Sequence, residues 1–155
     1  MRTKLWVPVF LLLACFLLVA GAAQAKAPLK CAADFYSDNT MDHWQVALTG
    51  DIKGTMFVHG DESIEWFFPG KTEHFYETWI TYPDSGGWFS GTDGGVWSFV
   101  TFKFRANGWV TAASPEWKRL VGYKFHEAGT TTNPFTAPEP LYPVYGEGNL
   151  FFAGP

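Results

Sequence analysis

The chain has 155 residues, a formal net charge of −4 at pH 7 and an aromatic content of 19%. This length fits a single domain that is large enough to bury a core. Nucleic-acid binding is excluded, because it needs a basic face and the only basic cluster after Lys30 is the pair Lys118-Arg119.

The first 25 residues have the organisation of a cleavable signal peptide. Arg2 and Lys4 form a positive start, residues 5–20 are almost entirely apolar, and Ala23-Gln24-Ala25 is a small-x-small cleavage site. The apolar run is shorter than the roughly 20 residues that a membrane-spanning helix needs. We therefore predict cleavage near Ala25, a secreted or periplasmic location and no membrane span in the mature form.

The two cysteines differ in their expected fates. Cys15 follows Leu12-Leu13-Ala14, which resembles a bacterial lipobox, but the apolar run continues beyond it. Cleavage near Ala25 would remove Cys15 and two of the 11 basic residues, which leaves 9 against 15 acidic residues and a charge of −6. We expect Cys31 to be a free thiol on a loose N-terminal extension, residues 26–43, with an intermolecular disulfide as the alternative.

Residues 44–130 read as a β domain. Short runs of β-branched and aromatic residues alternate with Gly, Asp, Asn and Pro, which is typical of antiparallel strands and tight turns. The predicted strands are 44–49, 54–59, 63–68, 74–82, 87–90, 96–105, 109–113 and 117–127. Asn107-Gly108 is the strongest hairpin prediction and Asp93-Gly94-Gly95 a second turn, because these residues tolerate positive φ. Helix is expected at most as one turn over residues 115–120.

The strands are expected to close on themselves. An open sheet of about eight strands would expose two edges, so we predict an all-β fold with a single closed antiparallel β-barrel. Alternation along 96–105 predicts that Val96, Ser98, Val100, Phe102 and Phe104 point inward. Five prolines beyond Thr132 predict an extended C-terminal arm, residues 131–155, that is either loose or lies across the barrel surface through its aromatic residues.

Two glutamates on the predicted strands are candidate ligand anchors. If Phe75 faces inward then so does Glu77, and burial would raise its pKa. Glu65 lies between Ile64 and Trp66 in a similar setting, although exposure to water is the alternative for both glutamates. The aromatic walls predicted for the same pocket are Tyr76, Trp79, Phe102 and Tyr123.

Metal, cofactor and nucleophile motifs are lacking in the sequence. The four histidines, His43, His59, His74 and His126, show no spacing typical of a metal site, so neither a metal nor a cofactor is expected. The sequence contains no Gly-x-Ser-x-Gly elbow, and no predicted helix follows the glycine-rich segment 90–95 to form a phosphate loop. Whether the protein is an enzyme stays open at this point.

Three glycine motifs, in this order, carry a family resemblance. They are Gly50-Asp51-Ile52-Lys53-Gly54, then Phe89-Ser90-Gly91-Thr92-Asp93-Gly94-Gly95, then Leu120-Val121-Gly122 with Gly129 after it. Over residues 44–129 the chain resembles the small β-barrels of the allene oxide cyclase and dirigent type, and more closely their uncharacterised bacterial relatives. The resemblance implies a barrel of about eight strands with an apolar cavity and a homo-oligomer, and it carries no catalytic residue over.

Two functions follow as hypotheses. The first is a secreted barrel that binds a small apolar or aromatic molecule, as a carrier or as a scaffold for a cyclase-like or dirigent-like reaction. The alternative is that the same aromatic residues fill the lumen completely, as side chains do in small barrels. The second is a carbohydrate-binding or adhesion module in which exposed tryptophans stack on sugars. The tryptophans considered for that role are Trp66, Trp88, Trp97, Trp109 and Trp117.

Overall fold

The computed structural model describes residues 27–38, 43–60, 65–67, 71–132, 135–136, 139–140 and 143–154. The predicted signal peptide, residues 1–25, lies outside them. Within these ranges, no helix has the length and apolar character needed to cross a membrane.

The described residues form eleven strands and one short 3-10 helix, η1. The strands are β1 Leu29–Ser37, β2 His43–Gly50, β3 Gly54–Gly60, β4 Glu65–Phe67, β5 Thr72–Pro83, β6 Phe89–Ser98, β7 Lys103–Ala113, β8 Lys124–Thr131, β9 Phe135–Thr136, β10 Glu139–Pro140 and β11 Val144–Ala153. Helix η1 spans Pro115–Leu120, which confirms the single predicted turn of helix.

Eight of the strands close into an antiparallel barrel. Their order around the barrel is β3-β2-β1-β11-β8-β7-β6-β5, and β5 pairs again with β3 to complete the circle. The predicted all-β fold with a closed eight-stranded antiparallel barrel is therefore confirmed. Strand β4 extends the sheet beside β5, and β9 and β10 pair separately.

Both ends of the described chain belong to the barrel, contrary to prediction. Strand β1 lies in the predicted extension 26–43, and β11 lies in the predicted arm 131–155, yet the two pair with each other and with β2 and β8. The barrel thus extends beyond residues 44–130 on both sides. Cys31 points into the core and is only 2% exposed, so it does not lie on a loose segment. Burial raises the pKa of its thiol.

Two predicted turns are also wrong, because both glycine motifs lie inside strands. Asp93-Gly94-Gly95 is in the middle of β6, and it pairs with the part of β7 that contains Asn107-Gly108. The turn between these strands instead spans residues 99–102, where Phe102 has a φ of 55°.

This shift changes which residues face inward on β6 and β7. Trp97 is buried, whereas Val96 and Ser98 are only partly buried and Val100 is 63% exposed. Of the inward set predicted over 96–105, only Phe104 is fully buried.

The strand glycines face aromatic rings from the neighbouring strand inside the barrel. The directly paired residues are Trp79 with Gly91, Phe75 with Gly95, and Phe104 with Gly129. A Cβ on these glycines would lie 2.4–2.6 Å from the facing ring, which is closer than real Cβ atoms come. We call these three contacts the ring-on-glycine pairs. They explain why glycine recurs where a strand would otherwise favour β-branched residues.

The two ends of the barrel differ in their filling. At the helix end, where η1 lies, rings pack against one another with centroids 4.8–6.2 Å apart. These rings belong to Trp79, Phe89, Phe125 and Phe152. The opposite end, the loop end, is where β1 connects to β2, β3 to β5, β6 to β7, and β8 to β11. The site described below opens on the loop-end side of this solid apolar layer.

The ring-on-glycine pairs predict a specific sensitivity to added methyl groups. Gly95→Ala should lower the free energy of unfolding by about 3 kcal/mol, because its Cβ would meet the Arg105 carbonyl oxygen at 2.3 Å and the Phe75 ring at 2.6 Å. Gly146→Ala is the matched control, since its nearest contact would be 3.0 Å, and it should cost less than about 1 kcal/mol. Urea unfolding measures both, and equal losses would contradict the packing argument.

Candidate functional site

Three carboxylates from three strands converge inside the barrel. Glu77 on β5, Asp93 on β6 and Glu127 on β8 each present an oxygen, and these oxygens lie within 4.8 Å of one another. We call these residues the lumen triad. Glu77 and Asp93 are directly paired across the β5–β6 ladder, whereas β7 lies between Asp93 and Glu127.

Small residues on β7 leave the space in which the triad meets. Ala106 pairs with Glu127, and Gly108 pairs with Asp93. A Cβ on Gly108 would lie 2.5 Å from the Cβ of Asp93 and 1.9 Å from the Thr92 carbonyl oxygen. Gly108 is therefore required for close packing within the sheet, and the Asn107-Gly108 motif lies in a strand and not in a turn.

A small cavity adjoins the triad. Its volume is about 40 Å³, and its lining residues are Phe35, Trp44, Val58, Glu73, Phe75, Glu77, Trp97, Phe104, Glu127 and Thr131. Such a volume holds roughly two or three water-sized groups, whereas a site that encloses a whole drug-sized ligand has about 300–1,000 Å³. The cavity can therefore enclose a polar head group, and a larger ligand would have to extend toward the loop end.

Two members of the triad, Glu77 and Glu127, line the floor of this cavity, and Asp93 lies next to them. On each of the triad's three strands, a lining residue lies four positions nearer the loop end: Glu73 on β5, Trp97 on β6 and Thr131 on β8. Four strand residues span about 13 Å. A molecule entering from the loop end would therefore meet Trp97 before it reached the carboxylates.

The cavity walls are aromatic. Edge-to-face contacts connect Phe104 to Phe35, Phe35 to Trp44 and Trp44 to Trp97, with centroids 5.0, 6.5 and 6.0 Å apart. We call these four rings the aromatic belt. The belt lies above the carboxylates, so the site combines apolar walls with an acidic floor.

Burial changes the protonation of the triad. Loss of solvation raises the pKa of Glu127 well above its ordinary range, and the charge of Asp93 raises it further. The pKa of Asp93 is raised to about 7, because loss of solvation raises it by more than the nearby Trp79 indole N–H lowers it. That N–H lies near the carboxyl without reaching full hydrogen-bond geometry. The triad therefore retains at least one proton at neutral pH.

Several polar atoms around the cavity lack partners. Within the described ranges, Asp93 Oδ1, Trp97 Nε1 and Thr131 Oγ1 are buried and accept or donate no hydrogen bond. Every lysine and arginine in those ranges is exposed.

The predicted site residues are distributed over several parts of the barrel. Glu77 lies in the triad on the same face as Phe75, and Trp79 lies below it in the apolar layer, 3% exposed. Tyr76 is on the outer surface and is 61% exposed, so it is not a lumen wall. Phe102 lies in the turn 99–102, and Tyr123 packs at the helix end after η1.

The remaining candidate, Glu65, is on β4 and pairs with His74 of β5. Its side chain falls outside the described residues.

Sequence reasoning missed two members of the triad. Glu127 is in phase with Phe125 along β8, so the alternation within the predicted strand 117–127 could have identified it. Asp93 was not predicted to lie in the site, because Asp-Gly-Gly is a typical turn sequence.

Two histidines also come together unexpectedly. His43 and His59 face each other across β2 and β3 with ring centroids 4.3 Å apart, on exposed positions. Two ligands fall short of the three or four that a zinc site needs.

No family model, curated protein or solved structure matches this chain.

The raised pKa values predict the pH dependence of stability. The folded protein holds protons that the unfolded chain releases near pH 4, so the free energy of unfolding should fall as pH rises above about 4, through the pKa of Asp93 at about 7, and level off only when Glu127 also loses its proton. Asp93→Asn should remove much of this slope. At pH 8 it should stabilise the protein by roughly 2–4 kcal/mol, because the buried charge is gone.

Urea unfolding at several pH values measures this effect. Glu147→Gln is the control, because Glu147 is exposed on β11 and should leave the slope unchanged. An unchanged slope in Asp93→Asn would show that Asp93 is not a source of the pH dependence.

Proposed function

We propose that this protein binds a small, largely apolar molecule that enters from the loop end, with the aromatic belt as its wall and the lumen triad as its polar anchor. The observation that carries the proposal is that four aromatic rings line one cavity together with Glu77 and Glu127, two carboxylates of the triad. Ligand sites are typically apolar with a few placed polar groups, and this one has that composition.

The same site suits a cyclase-like or dirigent-like scaffold, which the family resemblance implies. A carboxyl group whose pKa is about 7 holds an available proton near neutral pH, and Asp93 has that property. The eight-stranded closed barrel supports membership of the allene oxide cyclase and dirigent type as part of this proposal. A transferred proton would leave Asp93 for a bound substrate and return from solvent.

The proposal places the protein outside the cytoplasm. The positively charged start, apolar run and Ala23-Gln24-Ala25 site support export and cleavage near Ala25. An exported barrel with a buried anchor is suited to carrying or converting a molecule that is poorly soluble in water.

A second candidate function uses the outer surface. Tyr76 and Trp109 are 61% and 51% exposed, and they line one surface groove with Thr92 and Asn107. Flat rings beside amide and hydroxyl groups suit a sugar. The Lys124 ammonium lies 5.6 Å from the Trp109 ring centroid, so the lysine occupies part of the space beside that ring. Among the other candidates, Trp97 is buried and the Trp117 indole donates to the Gly86 carbonyl oxygen.

Native mass spectrometry of the protein purified from its host tests the primary proposal directly. A retained apolar guest of small mass is the expected result, and the same spectrum gives the number of subunits, for which the resemblance implies an oligomer.

A titration locates the site. With 2-phenylethanol as the probe and tryptophan fluorescence as the signal, Val58→Phe should weaken binding at least about tenfold, because the larger side chain fills the cavity. Val58→Leu is a milder variant in case the first one unfolds, and it should show a smaller loss. Tyr76→Leu should leave the affinity unchanged, because Tyr76 is on the outer surface.

The opposite result would assign ligand binding to a different part of the protein. If Tyr76→Leu weakens binding and Val58→Phe does not, the lumen is not the binding site and the outer groove is.

A further inference from the structure

We propose that the ligand of the lumen carries an uncharged oxygen, either a carbonyl or a hydroxyl oxygen, that accepts a hydrogen bond from the indole N–H of Trp97. This inference rests on the proposed function and names the class of ligand. Three observations support it: the unpartnered donors of the cavity wall, the packing that holds Trp97, and the kinds of residue that line the cavity.

The indole N–H of Trp97 is a buried donor without an acceptor. Trp97 is 5% exposed and lines the cavity, and its Nε1 has no hydrogen-bond partner within the described ranges. Two other tryptophans have acceptors nearby. The Trp117 N–H donates to the Gly86 carbonyl oxygen at 2.9 Å, and the Trp79 N–H lies near the Asp93 carboxyl. Because buried polar atoms are normally paired with protein, water or ligand, Trp97 has a donor that a molecule in the cavity can use.

The packing around Trp97 fixes this donor in place. The indole makes edge-to-face contacts with Trp44 and Phe99, at centroid distances of 6.0 and 5.1 Å. On the sheet, Trp97 pairs directly with Glu73 of β5 and Phe104 of β7. A side chain that is already held in one orientation loses little freedom when a ligand binds. The N–H of Trp97 is therefore preorganised for an acceptor.

Thr131 adds a second unpartnered polar group at the same level of the cavity. Its backbone N–H donates to the Phe102 carbonyl oxygen at 2.8 Å, whereas its buried Oγ1 has no partner among the described residues. Like Trp97, Thr131 lines the cavity four residues nearer the loop end than the triad. A hydroxyl group can donate to an oxygen as an indole N–H does. A molecule that fills this part of the cavity with hydrocarbon alone leaves both groups unpaired, which weakens its binding.

The type of polar group decides the class of ligand. An indole N–H donates and never accepts, so its partner must bring a lone pair. None of the described residues that line the cavity is a lysine, arginine or histidine, whereas Glu73, Glu77 and Glu127 are acids. A carboxylate ligand would therefore meet no cation among these lining residues, and a buried charge without one is costly. A carbonyl or hydroxyl oxygen accepts the N–H and brings no net charge.

Three probes with one carbon skeleton test this inference. Acetophenone, 1-phenylethanol and α-methylstyrene carry a carbonyl, a hydroxyl and a CH₂ group at the same position. Trp97→Phe keeps a ring and removes the N–H. It should weaken the binding of at least one oxygen probe about fivefold or more relative to α-methylstyrene, because the hydrogen bond is lost. NMR titrations of the full protein measure the dissociation constants, and the probe that responds distinguishes a carbonyl from a hydroxyl ligand.

Trp44→Phe is the matched control, because it makes the same change at a neighbouring ring of the aromatic belt. It should weaken all three probes by about the same factor, since an apolar contact serves each probe equally. Binding of α-methylstyrene to the Trp97→Phe variant shows that the cavity of that variant is intact.

A second measurement uses the unaltered protein and does not depend on the folding of a variant. With tryptophan labelled by ¹⁵N, the indole proton of Trp97 should lie further downfield in the complex with an oxygen probe than in the complex with α-methylstyrene. The benzene ring is common to the probes, so the difference reports the hydrogen bond.

The outcomes are distinguishable. If Trp97→Phe weakens all three probes equally and the indole proton does not distinguish them, the oxygen acceptor is wrong and the proposed apolar binding function stands. If no probe binds, both are wrong. Benzoate at pH 7 should bind at least about tenfold more weakly than acetophenone, because its charge is costly to bury. Tighter binding of benzoate would show that the ligand is an anion and would overturn the uncharged class.

Discussion

The interior of this barrel depends on the ring-on-glycine pairs. An eight-stranded barrel has a lumen only wide enough for side chains, so a glycine on the neighbouring strand gives a large ring space that a side chain would otherwise fill. Trp79, Phe75 and Phe104 each lie across the ladder from a glycine. Trp79 can therefore join the apolar layer at the helix end, Phe75 and Phe104 can line the cavity, and the strands can still close between β3 and β5.

The same principle creates the acidic site. Gly108 and Ala106 carry little or no side chain, so Asp93 and Glu127 approach each other across β7. Three carboxylates in one core are unfavourable for stability, because each must be protonated or paired when it leaves water. Groups with strongly perturbed pKa values concentrate at functional sites. We regard the triad as a feature that the fold supports at a cost in stability.

The barrel therefore has two halves with different tasks. The helix end is a solid apolar layer that supplies stability, with Phe89, Phe125 and Phe152 almost fully buried. The loop end has the belt, the cavity and the triad. In this arrangement a rigid packed layer positions a few polar groups with little freedom to move. The site is assembled from β5, β6 and β8, so its geometry depends on the register of the whole sheet.

The sequence by itself determined the fold class, the closure of the sheet, the helical turn at η1 and the shared inward face of Phe75 and Glu77. These features follow from local periodicity and turn chemistry, which can be read from the residues of a single strand. Only the tertiary structure decided that β1 and β11 complete the barrel, that Asp93-Gly94-Gly95 and Asn107-Gly108 lie inside strands, and that Glu77, Asp93 and Glu127 meet. The physical reason is that glycine is used both in turns and where a ring from the next strand packs closely against the backbone. The residue opposite the glycine distinguishes these two uses, and it is known only once the strands are paired.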